Sequence, residues 1–435
     1  MGGLGRGAPD PRRSGQLTAD AQAAVTAAWR HESPRLIAAL TRVTGDVGLA
    51  EDLAQDALVA ALSQWPHEGI PSNPAAWLMT VAKRRAIDRF RRDAVARRET
   101  ESIAGDLRED TRSADLTAAV DHIEDDVLRL MFLTCHPVLS PESRAALTLR
   151  LLGGLRTTEI ANAFLVREKT MGQRISRAKA TLADVHADFE VPRGDEREAR
   201  LADVMAVIYL IFTEGYAATV GDHWMRPELC LEALRLARLL VALMPDEPEV
   251  HGLQSLLEIQ ASRARARRGA DGEAVLLEAQ DRRLWDQLLI RRGLAALDRA
   301  EATGKAVGPY VLQAAIAACH ARARRAEDTD WVRIAELYDV VAEAYPSAVV
   351  EVNRAVAHGR AYGPDAGLSI LDAVAEDASL ATTPLVASVR GDLLDCRGDH
   401  EAAAAEFRKA AAQSRNEAER RLLHRRALEK DPSRL

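Results

Sequence analysis

The chain has 435 residues, more than one ordinary hydrophobic core accommodates, and this length predicts two to four domains. Apolar residues make up 47%, charged residues 28% and aromatic residues 4%, and the formal net charge is -7, a composition typical of a globular protein. The helix formers Ala, Leu, Arg and Glu dominate and β-branched runs are rare, so we predict an all-α fold.

Several classes of protein are disfavoured at once. The four cysteines (Cys135, Cys230, Cys319 and Cys396) are far apart and form no CxxC or CxxH pair, which argues against a zinc site and a disulfide framework. The longest apolar run, VMAVIYLIF at 204–212, is less than half of the roughly 20 residues that span a bilayer. The start, MGGLGRGAPDPRRSGQ, lacks the apolar core of a signal peptide. We expect a cytoplasmic protein with no membrane contact, metal or other cofactor.

The first amphipathic helix is predicted for LAEDLAQDALVAALSQW, residues 49–65, where Leu53, Ala57, Ala60 and Ala61 form an apolar stripe. Acidic and amide side chains crowd its N-terminal turn: Glu51, Asp52, Gln55 and Asp56. Acidic residues at that end suit the helix dipole, so dipole matching explains them as well as a docking role does.

A second helix is predicted for NPAAWLMTVAKRRAIDRFRRD, residues 73–93, with Asn73 as its cap and Pro74 in its first turn. At 100° per residue, Leu78, Met79, Ala82, Ala86 and Phe90 share the face expected to meet the core. The opposite face carries Trp77, Thr80, Arg84, Asp88 and Arg91. A tryptophan among arginines can stack on a nucleobase while the arginines hold phosphates. The alternative is that Trp77 packs against the preceding loop.

Charge changes sign sharply after this helix. Residues 83–98 hold eight basic and two acidic side chains, whereas residues 99–126 hold ten acidic and two basic ones. A polar stretch with weak periodicity and such a sign change predicts an interdomain linker. Amphipathic helices should resume near Val127.

Residues 140–184 predict a helix-turn-helix. Ser140 and Pro141 should open a helix that ends at Gly153–Gly154, Thr157 should cap a second helix, and a third should start near Arg167. On the third helix Met171, Ile175, Ala178 and Leu182 share one face, and Lys169, Thr170, Gln173, Ser176 and Arg177 share the other. That division is typical of a recognition helix in a major groove. A three-helix bundle with a solvated polar face is the alternative.

The last part of the chain predicts helical repeats. In VASVRGDLLDCRGDHEAAAAEFRKAAAQS, the small residues and one Phe recur at tetratricopeptide (TPR) spacing and should pack two antiparallel helices: Gly391, Gly398, Ala403, Phe407 and Ala410. Segments 230–259 and 331–357 match the same unit more loosely. We predict a TPR-like α-solenoid.

An enzyme built on this half is disfavoured. Residues 269–286 cluster Asp271, Glu273, Glu278, Asp281 and Arg282 around a DG turn, and carboxylates at such spacing can bind a metal or transfer protons. A turn followed by a charged helix face explains them more simply, because neither paired histidines nor a Gly-rich phosphate loop accompanies them.

The first half resembles the extracytoplasmic-function (ECF) sigma factors of bacterial RNA polymerase. AEDLAQDALVAAL followed by NPAAWLMTVAKRRAIDRFRR resembles their region 2. The resemblance implies that the polymerase clamp binds Asp52, Leu53, Gln55 and Asp56, and that a loop, Trp65–Asn73, captures a flipped base of the −10 element. It also implies that the melted −10 strand is bound by Asn73, Trp77, Thr80, Lys83, Arg84 and Arg91. Leu78 follows Trp77 where primary sigma factors carry a tryptophan pair, which implies weaker melting.

The pattern T-x-EIA…T-x-x-x-RI-x-RA-x-x-L resembles region 4 of the same family. The resemblance implies binding to the polymerase flap and reading of the −35 element by Lys169, Thr170, Gln173, Arg174 and Arg177. Leu165 stands where the turn usually carries glycine, which puts the turn geometry in doubt. The acidic linker is either an electrostatic mimic of RNA or a solvated tether. The C-terminal half resembles the ECF group whose fused TPR-like domain modulates sigma activity, with a regulatory protein as a possible partner.

These interpretations divide the chain into a disordered N-terminus (1–20), region 2 (21–95), an acidic linker (96–126), region 4 (127–190) and a TPR-like regulatory domain (198–435). The predicted function is an alternative sigma factor that binds core RNA polymerase and promoter DNA. The alternative hypothesis is a helix-turn-helix regulator with a TPR scaffold that acts without polymerase. A plain repressor would need neither the carboxylate face of Asp52, Gln55 and Asp56 nor a single-strand loop.

Overall fold

The computed structural model describes residues 25, 28–29, 32–100, 123–164, 166–216, 226–267, 269, 275–381, 383–414 and 417–430. Within these ranges the chain is helical, with turns and short 3-10 segments and no β-strand, which confirms the predicted all-α class. None of the described helices combines the length and apolar character required to traverse a bilayer. The predicted disordered N-terminus and most of the acidic linker lie outside the described residues.

The chain divides into two compact units, residues 1–207 and 208–435. The helices that begin in the first unit are α1 (32–44), α2 (Val47–Glu68), α3 (Pro74–Thr100), α4 (Ile123–Thr134), α5 (Pro141–Leu151), α6 (Thr157–Ala163), α7 (Glu168–Asp184) and α8 (Gly194–Tyr216). Helix α4 begins four residues before the predicted restart at Val127.

Helix α2 is longer than predicted at both ends. Asp46 caps it, because its carboxylate accepts the backbone N–H groups of Gly48 and Leu49, and no acidic residue lies in its first turn. Dipole matching therefore does not explain Asp52 and Asp56, contrary to one of our two sequence-based interpretations. At the other end the helix continues through Pro66 to Glu68. Trp65 belongs to the last turn, and its side chain is buried.

The loop predicted for Trp65–Asn73 is consequently too long. Only residues 69–73 separate α2 from α3, and Trp65 belongs to the helix. Helix α3 has the predicted core face, since Leu78, Ala82 and Ala86 are all buried. This face packs on α2, and on the opposite face Thr80, Arg84, Asp88 and Arg91 are exposed.

Helices α5, α6 and α7 form the predicted helix-turn-helix. Ser140 caps α5, and the whole predicted inner face of α7 (Met171, Ile175, Ala178 and Leu182) is buried. The cap of α6 was assigned wrongly to Thr157. The N-cap is Arg156, whose N–H donates to the Glu159 carboxylate, and Thr157 is the first helical residue. The prediction about the turn at Leu165 lies outside the described residues.

Helix α8 contains the boundary between the two units. Its first half belongs to the first unit, where Arg200 donates to the Phe132 carbonyl oxygen at 2.8 Å and Asp203 pairs with Arg144 at 2.7 Å. Leu201, Val204, Met205 and Val207 are buried in this half. The first unit therefore extends past residue 190, where we predicted the end of region 4.

The second unit continues with α9 (Pro227–Leu243), α10 (Pro248–Ser262), α11 (Gln287–Ala302), α12 (Pro309–Arg322), α13 (Trp331–Ala344), α14 (Ala348–Tyr362), α15 (Pro364–Val374), α16 (Leu385–Arg397), α17 (His400–Gln413) and α18 (Glu417–Glu429). Most helices pack on the next one along the chain, and α10 also packs on α12, as α14 does on α16. This pattern is compatible with a helical-repeat stack; the TPR assignment itself stays a prediction.

The α16–α17 pair illustrates why small residues are needed between these helices. A Cβ atom at Gly391 would lie 2.6 Å from Cε1 of Phe407, so only glycine lets the Phe407 ring settle against α16. Ala403, Phe407 and Ala410 are fully buried, and Gly398 ends α16 with φ of +90°. The Arg426 guanidinium lies over the Phe407 ring, 4.1 Å from its centroid.

We expect Gly391→Ala to destabilise the second unit by about 1–3 kcal/mol, because the added methyl overpacks against Phe407. Thermal unfolding should register the change as a lower Tm. The second-site substitution Phe407→Leu in the Gly391→Ala background should recover part of the loss, since the smaller side chain vacates the contested space. An additive double mutant would contradict the packing explanation.

Candidate nucleic-acid interface

A cavity of about 550 Å³ lies between α2 and α3 on the predicted DNA-binding face. Three predicted −10 residues, Trp77, Thr80 and Arg84, lie on its wall because they are spaced by three, four and seven positions along α3. The remainder of the lining consists of Ala60, Gln64, Ala76, Val81 and Arg85. An aromatic ring, a hydroxyl and a guanidinium thus converge on one open cavity.

Trp77 is positioned by a second tryptophan. The Trp65 and Trp77 rings meet edge to face, with centroids 5.5 Å apart and planes at 71°. Trp65 is buried, whereas Trp77 is half-buried and lines the cavity. One edge of the Trp77 ring therefore packs on helix α2, whereas the sequence-based alternative placed Trp77 against the preceding loop. The contact with Trp65 does not prevent Trp77 from facing the cavity. In the sequence Trp65 stands both at the end of the predicted helix and at the start of the predicted loop, and its support of Trp77 was not predicted.

The other predicted −10 residues lie apart from the cavity. Asn73 caps α3 by accepting the Ala76 N–H at 3.1 Å, and Arg91 is exposed two turns beyond Arg84 on the same face. Lys83 is on the flank of the helix, where burial and then the charge of Arg42 lower the pKa of its ammonium group. Lys83 is thus less accessible to a phosphate than Arg84 or Arg91.

The predicted clamp-binding residues occupy two faces of α2. Asp52 and Asp56 are exposed, and Asp56 pairs with Arg85 of α3 at 3.2 Å. Gln55 is half-buried and donates to the Glu51 carboxylate, while Leu53 is buried in the core. The exposed surface available to a partner therefore consists of Asp52 and Asp56, with Gln55 between them.

The outer face of α7 is accessible in the pattern typical of a recognition helix. Lys169, Gln173 and Arg177 are exposed, and Thr170 and Arg174 are half-buried. The N-terminus of α7 is tied to α6 by a 2.8 Å hydrogen bond from the Thr158 hydroxyl to Glu168. This bond positions the first turn of the recognition helix. Thr158, which donates the bond, was not among the predicted site residues.

Comparison with known proteins agrees with this arrangement. Residues 28–95 match the Sigma-70 region 2 family and residues 129–182 match the Sigma-70 region 4 family. The chain is 33% identical over 146 residues to the ECF RNA polymerase sigma factor SigL of Mycobacterium tuberculosis, covering 32% of this chain and 76% of that protein. The chain belongs to the ECF sigma factors.

Two further similarities extend the comparison. The probable ECF RNA polymerase sigma factor SigI of Mycobacterium tuberculosis is 29% identical over 182 residues, 42% of this chain and 62% of the relative. An uncharacterized protein of Rhizobium meliloti is 44% identical over 392 residues, 89% of this chain and 91% of the relative. Residues 200–301 of this ECF sigma factor match a family of unknown function.

In this sigma factor, regions 2 and 4 are joined by a buried carboxylate that the sequence analysis did not recognise. Glu51 of α2 is 2% exposed, and Nε of Arg150 on α5 lies 2.6 Å from its Oε1. Lys179 on the recognition helix pairs with its Oε2. Both cations are mostly buried, so the three groups form a clasp, which we call the Glu51 clasp, between the predicted clamp-binding helix and the DNA-reading helix.

A second buried carboxylate joins region 2 to α4, the helix that leads into region 4. Asp126 of α4 is fully buried and lies 3.2 Å from Nε of Arg42 on α1 and 2.8 Å from Arg129. Removing one member of a buried ion pair costs about 3–5 kcal/mol, because the remaining charge is left without compensation. Regions 2 and 4 of this sigma factor are therefore held together in the described arrangement by charge pairs between them.

The carboxylates considered as an enzyme site have structural partners where they are described. Glu278 pairs with Arg360 at 2.7 Å, and Asp281 caps a short 3-10 helix and pairs with Arg283. Arg282 donates to the carbonyl oxygens at the end of α12, those of His320 and Ala323. Among the described residues no cluster of three or more His, Cys, Asp or Glu could hold a metal ion. Asp271 and Glu273 lie outside them.

Proposed function

We propose that this ECF sigma factor binds core RNA polymerase through the exposed Asp52–Asp56 face of α2 and directs initiation at specific promoters. Helix α3 would hold the melted −10 strand and α7 would read the −35 duplex. The second unit would modulate this activity, with a regulatory protein as its partner, in the cytoplasm where the polymerase is found. Two sigma-type regions in the order expected for the family support the first part of the proposal.

The observation that carries the proposal is the cavity at Trp77. Single-stranded nucleic acid is held by aromatic rings that stack on bases and by cations that hold the backbone, and stacking contributes about 1–3 kcal/mol per base. Trp77 provides the ring, Thr80 the polar group for a base edge, and Arg84 and Arg91 the charges along the strand. A duplex has no unstacked base to offer this cavity, which favours the melted strand as its ligand.

The described arrangement of regions 2 and 4 would have to open for this function. The names of the −10 and −35 elements place their centres about 25 base pairs apart, or on the order of 80 Å at 3.4 Å per pair. Helix α7 is only 17 residues long, about 25 Å, and its Lys179 touches α2 through the Glu51 clasp. The closed arrangement therefore cannot engage both elements. We propose that polymerase binding separates the two regions.

The deciding experiment is run-off transcription with core polymerase, comparing the full chain with a chain ended at Val207. This end point keeps Arg200 and Asp203, which belong to the first unit. We expect promoter-dependent transcripts from at least one form, and a difference between the two forms would give the direction of modulation. Duplex binding without transcription from any genomic fragment would instead favour the polymerase-independent regulator. Equal transcription by both forms would remove the modulatory role.

A further inference from the structure

A second cavity, of about 320 Å³, lies between α9, α10 and α11, inside the segment that matches a family of unknown function. Its lining is Arg238, Gln254, Glu258, Arg292, Ala295 and Arg299. Gln254 and Glu258 are one turn apart on α10. Arg292 and Arg299 are two turns apart on α11, and the small side chain of Ala295 between them leaves the hollow open.

Helices α10 and α11 approach each other closely beside this cavity. A Cβ atom at Gly293 would lie 2.6 Å from Cγ1 of Ile259 and 3.1 Å from the Ser255 carbonyl oxygen. The glycine therefore lets α11 settle directly on α10. The cavity is therefore a recess beside two helices in direct contact.

The charge around the recess is unbalanced. Glu258 is fully buried, and its Oε1 accepts from Nε of Arg238 at 2.9 Å and from the Gln254 amide at 3.0 Å. Arg292 and Arg299 are exposed and form no hydrogen bond or ion pair within the described part of the chain. The lining thus contains three guanidinium groups and one carboxylate, a formal excess of two positive charges.

Two residues that line the recess each carry a buried hydrogen-bond acceptor without a donor. Oε2 of Glu258 and Oε1 of Gln254 have no hydrogen-bond donor among the described residues, although Glu258 is 0% and Gln254 8% exposed. A buried polar atom without a partner costs about 1–3 kcal/mol. Exchanging the oxygen and nitrogen of the Gln254 amide would not remove the mismatch, because its oxygen would then face the carboxylate.

These two features together specify a ligand. The excess positive charge requires an anionic group, and the unpartnered oxygens require an N–H or O–H group on the same molecule. The volume lies at the lower end of the range for small-molecule pockets, about 300–1,000 Å³, and the recess is concave between three helices. We propose that it binds a small organic anion, a carboxylate or a phosphate ester, that also carries a hydroxyl or ammonium group.

Bound in this way, the ligand would link helices α9, α10 and α11. The anionic group would contact Arg292 and Arg299, and the donor would reach Glu258 and Gln254. Since α9 to α11 belong to the second unit, the ligand would stabilise this unit by mass action as its concentration exceeded its Kd. The proposed site is independent of the DNA-binding role proposed above.

Isothermal titration and thermal unfolding of the full chain in 150 mM salt would test the site. The probes would be malate and glutamate as donor-bearing carboxylates, glycerol 3-phosphate and ribose 5-phosphate as donor-bearing phosphates, and succinate, inorganic sulfate and glycerol as controls. We expect at least one donor-bearing anion to bind saturably and to raise the Tm. Binding of the two carboxylates, or instead of the two phosphates, would identify the anionic group that the site recognises. Glycerol should not bind, and succinate and sulfate should bind at least tenfold more weakly.

Variants distinguish the recess from general surface charge. Arg292→Gln combined with Arg299→Gln should weaken binding at least tenfold. Arg291→Gln, an equally exposed arginine on the same helix outside the recess, should leave it unchanged. Glu258→Gln should strengthen succinate binding and reduce the preference for donor-bearing anions. The absence of saturable binding, equal affinity for Arg291→Gln and the double variant, or binding of an acidic peptide in place of the small anions would overturn the proposal.

Discussion

Glu51→Gln is expected to open the sigma region of the free protein. The substitution keeps the shape of the side chain but removes the charge that Arg150 and Lys179 share, and leaves two mostly buried cations without a counter-charge. Breaking a buried ion pair costs at least about 3 kcal/mol, and a loss of this size shifts the equilibrium between closed and open arrangements on the order of 100-fold. Energy transfer between dyes on S72C and A183C, in a C396S background, should therefore fall.

The matched control is Glu68→Gln, which removes the same charge from an exposed position at the end of α2. Its energy transfer should equal that of the parent protein. Because the measurement uses free protein, any effect of Glu51 on polymerase binding does not enter it. Equal transfer in Glu51→Gln and Glu68→Gln would contradict the role assigned to the Glu51 clasp. We also expect Asp126→Asn, which weakens the contact with Arg42, to shift the equilibrium in the same direction.

Trp77→Ala combined with Arg84→Ala should reduce open-complex formation by about 100-fold. Loss of one stacked base accounts for roughly 1–3 kcal/mol, and loss of a phosphate contact adds to it. Permanganate reactivity of thymines in the −10 element would measure the melted fraction. Binding to core polymerase should change less than twofold, because both side chains lie on α3 and face the cavity rather than the Asp52–Asp56 surface.

Two further variants separate stacking from loss of charge or of folding. Trp77→Phe should retain most of the open complex, since an aromatic ring can still stack in the cavity. Arg92→Ala removes an equally basic, exposed residue from the same helix, one that donates to the Asp88 carbonyl oxygen and lies outside the cavity lining. If Arg92→Ala abolished permanganate reactivity as completely as the double variant does, the cavity would not be the strand-binding site.

Local periodicity was sufficient to predict the helices that carry the site. The buried faces of α3 and α7 follow from side-chain spacing alone: Leu78, Ala82 and Ala86 on the first, Met171 and Ile175 on the second. Helix ends were harder, because they depend on tertiary packing. Helix α2 continues past Trp65, its predicted last residue, to Glu68, and no local signal predicts that a helix continues through Pro66.

The long-range charge pairs could not be predicted in this way. Glu51 and Arg150 are 99 positions apart, and each is compatible with an ordinary solvated helix face until the helices are placed. The recess in the second unit had a weak signal in the sequence. Gln254, Ser255 and Glu258 interrupt an otherwise apolar stretch of α10, and polar residues in a buried helix require partners. That signal becomes specific only when Arg292 and Arg299 are brought alongside.

Helix α8 has a consequence for how such a protein can arise. The match to the family of unknown function begins at residue 200, yet Arg200 and Asp203 hold the Phe132 carbonyl oxygen and Arg144 inside the first unit. A recombination event that joined the two families at residue 190 would have left these groups, and the buried positions Leu201 and Val204, without their counterparts. If the two families were joined by recombination, a breakpoint that kept these contacts intact would lie no earlier than the middle of α8.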